Sequence, residues 1–226
     1  MQLSRKQAGF TLIEIAIVLV IIGLLLGGVL KGQELINSAK VKNFAQDFKS
    51  VPLFLYGYQD KYRALPGDDP NVATHLSSEV TAQGAGYSLL TVTVGTRGNG
   101  TLNGLYNSEA ATDESLAFWQ QVRLAGLAAG PIDFSNATAI AASVPRNADG
   151  GRIGIQSSVP ITGLAGAFFI CSDGIQGKFA KQLDTMMDDG NTATGSMRVA
   201  ADLATPTPIA TTSIADSTTY LVCMGM

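Results

Sequence analysis

The sequence predicts an α+β fold: one long N-terminal α-helix, with an antiparallel β-sheet head packed on its lower half. Three observations predict it. An unbroken apolar run extends from Phe10 to Leu30, a helical apolar stripe follows from Val41 to Tyr62, and turn residues cut the last third of the chain into short apolar segments.

The run from Phe10 to Leu30 holds 21 residues and a single charge, Glu14. As a helix it is roughly 30 Å long, the thickness of a bilayer's hydrocarbon core. Gly23, Gly27, Gly28 and Gly32 weaken that helix. They suit either close helix packing in a membrane or local unwinding. Further on, Val41, Phe44, Phe48, Val51, Leu55, Tyr58 and Tyr62 recur at alternating steps of 3 and 4, which places them on one helix face. Pro52 removes a backbone donor and is expected to kink the helix. Ala64-Leu65-Pro66-Gly67 should end it, and Asp68-Asp69-Pro70 should prolong the turn.

The head begins with a polar, Gly-rich stretch, residues 71–113, read as loop with one candidate strand at Ser88–Val94. Glu114–Leu127 has helical spacing at Leu116, Trp119, Val122, Leu124 and Leu127, with Trp119 expected in the core. Arg152–Val159 and Gly166–Ser172 read as an antiparallel pair, and Thr192–Val199 and Tyr220–Met224 as further strands. Gly177–Met187 reads as a short helix that ends at Asp188-Asp189-Gly190.

Composition narrows the function. The chain has 226 residues, enough for one compact domain plus an extra segment. Its net charge is −3, and no Lys/Arg-rich run follows the first residues, so nucleic-acid binding has no electrostatic support. His75 is the sole histidine and reads as an ordinary surface residue in a loop. There is no GxSxG elbow, Walker A loop or GxGxxG turn after a strand, and no catalytic residue is assigned; the chain does not read as an enzyme. Cys171 and Cys223 stand outside any CxxC motif and do not make a zinc site.

The N-terminus carries the functional reading. A secretory signal places its cleavage site after the apolar core. Here the order is reversed: Met1–Gly9 is short, polar and basic, and the apolar run follows the Gly. Arg5 and Lys6 hold the leader in the cytoplasm, so the chain beyond Leu30 faces outward.

Gly9-Phe10-Thr11-Leu12-Ile13-Glu14 resembles the processing signal of type IV pilins and type II secretion pseudopilins, and the resemblance extends over about residues 5–60. Leu65-Pro66-Gly67-Asp68, followed by Gly98-Asn99-Gly100 and Ala117-Phe118-Trp119, resembles a broad group of pilin-like proteins. The resemblance implies a prepilin peptidase that cuts after Gly9 and N-methylates Phe10. It implies that Glu14 guides assembly by pairing with the terminal amine of a neighbouring subunit. It implies a single-pass protein of the bacterial inner membrane that moves, with other pilin-like subunits and an assembly platform, into a pilus (fimbrium) or a secretion pseudopilus. The corresponding divisions are a leader at residues 1–9, a membrane helix at 10–30, its amphipathic continuation at 31–64 and an exported head at 65–226. The alternative is a signal-anchored exported enzyme or binding protein, which needs neither the cleavage Gly nor an acidic residue in the span.

Two expectations follow from export. A disulfide between Cys171 and Cys223 is the natural state, with two buried free thiols as the alternative. No cofactor is expected apart from calcium, which some related pseudopilins carry in C-terminal loops. Asp184, Asp188 and Asp189, at a helix end and a Gly turn, are the candidate metal ligands, with Asp68 and Asp69 a second pair.

Overall fold

The computed structural model describes residues 12–83, 87–93, 95, 97–201 and 206–226. The processing residues Gly9 and Phe10 lie outside them, with the whole leader. The chain divides into two units, Met1–Lys40 and Val41–Met226. Helix α1 runs from Leu12 to Tyr62 and contributes to both. Pro52 sits inside it without ending it.

In the second unit the predicted stripe is the buried face of α1. Val41, Phe44, Phe48, Val51, Leu55 and Tyr58 are buried, and Tyr62 is half-buried. α2 (Val72–His75) and α3 (Ser77–Ala82) follow, then α4 (Glu114–Leu124) and α5 (Ala137–Ser143). The sheet is built from β1 (Ile153–Gln156), β2 (Phe169–Gln176), β3 (Met197–Ala200) and β4 (Thr219–Gly225), with α6 (Gly177–Met187) between β2 and β3. Its order is β1-β2-β4-β3 and every pair is antiparallel. The long N-terminal helix and the four-stranded antiparallel C-terminal sheet are the α+β fold expected from the sequence. One core joins them: Phe44 of α1 meets Phe179 of α6 at 6.0 Å between ring centres, and Ile155, Val199 and Val222 of the sheet belong to the same cluster.

Helix α4 forms where its spacing predicted, with Trp119 in the core, and all eleven of its residues are buried. A helix buried on every side must satisfy its polar side chains internally. Four of its side chains do so by holding loop backbone, while Ser115 Oγ and Trp119 Nε1 meet no partner at full hydrogen-bond geometry. Gln120 accepts from Leu90 N–H and donates to the Ser88 carbonyl, Gln121 accepts from Gly67 N–H, and Glu114 accepts from Asn103 N–H. Arg123 donates to the carbonyls of Pro131 and Ser143.

That arrangement explains the correction at Ser88–Val94. Residues 88–93 are not a strand, and Val94 lies outside the described residues. The backbone groups of Ser88 and Leu90 bond a glutamine side chain where a neighbouring strand would have bonded them. Boundaries moved for similar reasons. The strand expected at Thr192–Val199 starts at Met197, because Asp188 captures the Met197 N–H and residues 191–196 turn. Gly195 takes φ +73, and a Cβ there would run into the Asp188 carboxylate. Strand β2 extends to Gln176, beyond the Ser172 expected, and β1 stops at Gln156, short of Val159.

Candidate functional sites

The upper part of α1 is apolar and open. Its large side chains are exposed from Leu12 (93%) down to Ile22 (45%). The helix is long and apolar enough to cross a membrane, and none of its most apolar window is buried within the chain. Glu14 lies in the first described turn. Its position there is favourable for a helix, since an acidic group offsets the exposed N–H dipoles of the first turn.

The two cysteines are bonded to each other. Cys171 on β2 and Cys223 on β4 stand directly opposite, with Cα atoms 4.1 Å apart. That spacing is nearer the ~4.5 Å of a non-hydrogen-bonded cross-strand pair than the ~5.5 Å of a bonded one. Both are fully buried in a cluster with Tyr106, Ile161, Leu164, Phe169, Ala200 and Leu221. Tyr106 reaches this cluster because Gly154, paired with Cys171 from β1, has no side chain: a Cβ at Gly154 would strike the Tyr106 carbonyl. The Tyr106 N–H is then bonded by Gln156 Oε1.

The three candidate metal ligands come together at the end of α6. Carboxylate oxygens of Asp184, Asp188 and Asp189 lie within 4.8 Å of one another. Asp188 accepts from Ser196 Oγ and Met197 N–H, and Asp189 from Asn191 N–H and Thr194 Oγ1. These bonds aim both carboxylates while leaving lone pairs on each. Asp184 is different. It is fully buried, and neither of its oxygens meets a donor at full hydrogen-bond geometry. Burial, then the charges of Asp189 and Asp188, push its carboxyl up to about 6, offset in part by the Gly190 N–H. Buried carboxylate oxygens without donors, facing two oriented carboxylates, fit an oxygen-seeking cation such as calcium.

Asp68 and Asp69 are both buried, and His75 is not what the sequence suggested. Asp68 is buried and accepts from Gly98 N–H, Asn99 N–H and Gly100 N–H at 2.5, 3.3 and 2.7 Å. The Leu65–Asp68 and Gly98–Gly100 segments therefore form one structural unit, a carboxylate closed in a nest of backbone donors. Asp69 is also buried and accepts from Tyr58 Oη and Asn71 N–H at 2.8 Å each. It bonds His75 Nδ1 at 2.7 Å. Both carboxylates accept their hydrogen bonds from groups inside the protein. His75 is half-buried, and its ring stacks on Tyr62 at 5.3 Å, so it is not an ordinary surface residue. A His six residues after an Asp, with a Pro-Asn turn between them, was the available signal.

Residues 4–30 match the family described as the prokaryotic N-terminal methylation motif. No curated protein and no solved structure matches the chain. The motif match includes Gly9, Phe10 and Glu14 and ends at the last residue of the apolar run. The motif leads into a long apolar helix, and the chain also carries a four-stranded antiparallel sheet; in both features it is similar to type IV pilin-like proteins.

Proposed function

We propose that this chain is the precursor of a structural subunit in a type IV pilus-like or type II secretion filament. The observation that carries the reading is the methylation motif on residues 4–30, with Gly9 before Phe10 and Glu14 four residues later, leading into an exposed apolar helix. On this reading a prepilin peptidase removes residues 1–9 and N-methylates Phe10. The precursor waits in the inner membrane with its leader in the cytoplasm, and the mature subunit leaves through an assembly platform to join other pilin-like subunits. Cleavage removes Arg5 and Lys6, leaving 13 of the 15 basic side chains against 18 acidic ones, a net of −5. The role is structural; a filament subunit needs surfaces, not a reactive constellation. Mass spectrometry of the N-terminal peptide from the native host should find N-methyl-Phe10 as the first residue. An intact Met1, or a cut near Gly28, would reject the processing.

The acidic cluster is read as a calcium site that holds the turn after α6. Asp184, Asp188 and Asp189 supply the carboxylate ligands. Without the cation, Asp184 weakens the fold at neutral pH. An unfolded Asp titrates near 4 and the folded one at about 6. Between those values the folded state keeps a proton that the unfolded state has released, so stability falls as pH rises through that window. The cost is complete about one pH unit above the folded value, on the order of 3 kcal/mol. Asp184→Asn should therefore stabilise the calcium-free protein at pH 7 and not at pH 4. Asp47, which burial also raises to about 6, keeps some slope in the variant. Calcium should raise the melting temperature of the wild type and leave Asp184→Asn unchanged. Equal calcium shifts in both proteins would dismiss the site.

A further inference from the structure

A cleft of about 600 Å³ opens at the C-terminal end of α1, lined in part by Gln59, Arg63, Leu65, Pro70, Asn71 and His75. None of these residues takes part in the processing motif, the disulfide or the acidic cluster. We propose that this cleft binds an acidic sugar unit, a ring that carries both hydroxyls and a carboxylate.

The imidazole is a positioned hydrogen-bonding group. Asp69 is fully buried and already accepts from Tyr58 Oη and Asn71 N–H, so its bond to His75 assigns the proton to Nδ1. Burial and the bond to Asp69 hold Tyr58 far above its ordinary acidity range, so it stays a phenol and a donor. Stacking on Tyr62 fixes the plane of the ring. Nε2 is then the ring's remaining polar atom, on a side chain that lines the cleft. In the neutral ring it is an acceptor, suited to a hydroxyl.

The other polar groups complete a set for a hydroxylated anion. Arg63 brings a guanidinium to the rim. Its backbone takes φ +57, the sole non-glycine residue with positive φ among the described residues. That conformation strains a residue that bears a side chain, a cost that glycine would avoid. Its partner Asp60 is as exposed as itself, at 3.7 Å, a pair that water weakens and a ligand carboxylate can replace with a bidentate contact. The side-chain amides of Gln59 and Asn71 make no hydrogen bond among the described residues; Asn71 does not use its side chain to cap α2. Each amide offers both a donor and an acceptor, the pair a sugar hydroxyl needs. Leu65 and Pro70 supply apolar surface for the C–H face of a ring.

Other ligand classes fit less well. A transition metal would have one imidazole, and the carboxylate in the lining, Asp68, already accepts from three backbone N–H groups. A flat aromatic ligand would need an open ring face, and Tyr62 is covered by His75 on one side and Tyr58 on another, at 5.3 and 4.6 Å.

The test is saturation-transfer NMR and calorimetry on the full chain in detergent micelles, with glucuronate, glucose and inorganic phosphate as probes. Binding is read on the subunit and does not depend on processing or filament assembly. Glucuronate should bind, with glucose and phosphate at least about tenfold weaker, because each lacks one half of the recognised chemistry. Arg63→Gly relieves the backbone, so it should fold at least as well as the wild type while losing about tenfold in glucuronate affinity. His75→Gln should weaken binding with the melting temperature monitored in parallel. Absence of glucuronate binding, equal binding of glucose or phosphate, or an Arg63→Gly variant that binds like the wild type would each overturn the proposal.

Discussion

Reducing the Cys171–Cys223 bond, or replacing Cys223 with Ser, is expected to lower the stability of the second unit by about 4 kcal/mol, the chain-entropy value for closing a loop of this size. The bond spans 52 residues and sits between directly paired positions of β2 and β4. Those two strands are the middle of the sheet, so releasing the bond loosens both edge strands as well. The serine adds a second cost. Both sulfur positions are fully buried among apolar side chains, and a hydroxyl there needs a partner that a disulfide did not. Reduced wild-type protein carries the entropic loss without the new hydroxyl, so comparing the two separates the terms. Trp119 is the sole tryptophan and lies in the core, which makes its fluorescence a reporter of unfolding in urea. A marginally stable domain of this size commonly holds 5–15 kcal/mol in all, so such a loss moves the midpoint visibly. Coincident unfolding curves for oxidised, reduced and Cys223→Ser protein would show that the bond carries no stability.

The parts of this fold that were legible in the sequence are those where one physical signal acts alone. The stripe from Val41 to Tyr62 is one example: side chains three and four apart share a helix face, and those residues are buried or half-buried. Gly177–Met187 is another, where the helix ends at the Asp-Asp-Gly turn as read. Strand positions were visible as apolar segments, but their ends were not. Strand ends are set by partners: Arg152 N–H bonds Asp173 Oδ1, and Ser157 Oγ takes the Leu102 N–H. No local pattern encodes a bond to a residue 21 or 55 positions away.

The segment between α1 and α4 shows the same limit more sharply. Its composition said loop, yet α2 and α3 are helical, four and six residues long, too short for a periodicity to register. In that segment the backbone N–H groups of Gly67, Leu90 and Gly100 bond glutamine and carboxylate side chains distant in sequence. Helix α5 was missed although Asn136 caps it and accepts from Ala139 N–H, a signal that was readable before an Ala-rich run. At the candidate sites the acidic trio was visible because two members are adjacent, just past the end of α6, and the third lies four residues back in its last turn. That Asp184 is fully buried, while Asp189 stands exposed beside it, depends on which way α6 faces the sheet.

Glu14→Ala is expected to leave membrane insertion intact and to cut incorporation into filaments sharply. The prediction rests on the filament-subunit reading and on where the carboxylate lies. Glu14 is the only charge between Phe10 and Leu30. A carboxylate at membrane depth costs several kcal/mol unless it is compensated, so its removal makes the helix easier to insert. The same low dielectric that makes the charge costly makes a fitted cation strongly attractive. On that reading, processing after Gly9 would create such a cation at Phe10, four residues before Glu14, in a register that staggered subunits can match. Alanine would leave the neighbour's amine facing an apolar helix, a loss of one charge pair at every subunit contact. Glutamine keeps the size and hydrogen-bonding capacity of Glu14 but not its charge, so Glu14→Gln separates shape from electrostatics: if charge guides docking, Gln should fail nearly as badly as Ala. The measurement is the ratio of sheared-filament to membrane-bound protein for wild type and both variants, with membrane levels confirming insertion. Wild-type ratios in both variants would show that Glu14 does not guide assembly. A defect in membrane levels, with the ratio unchanged, would place its role in insertion instead.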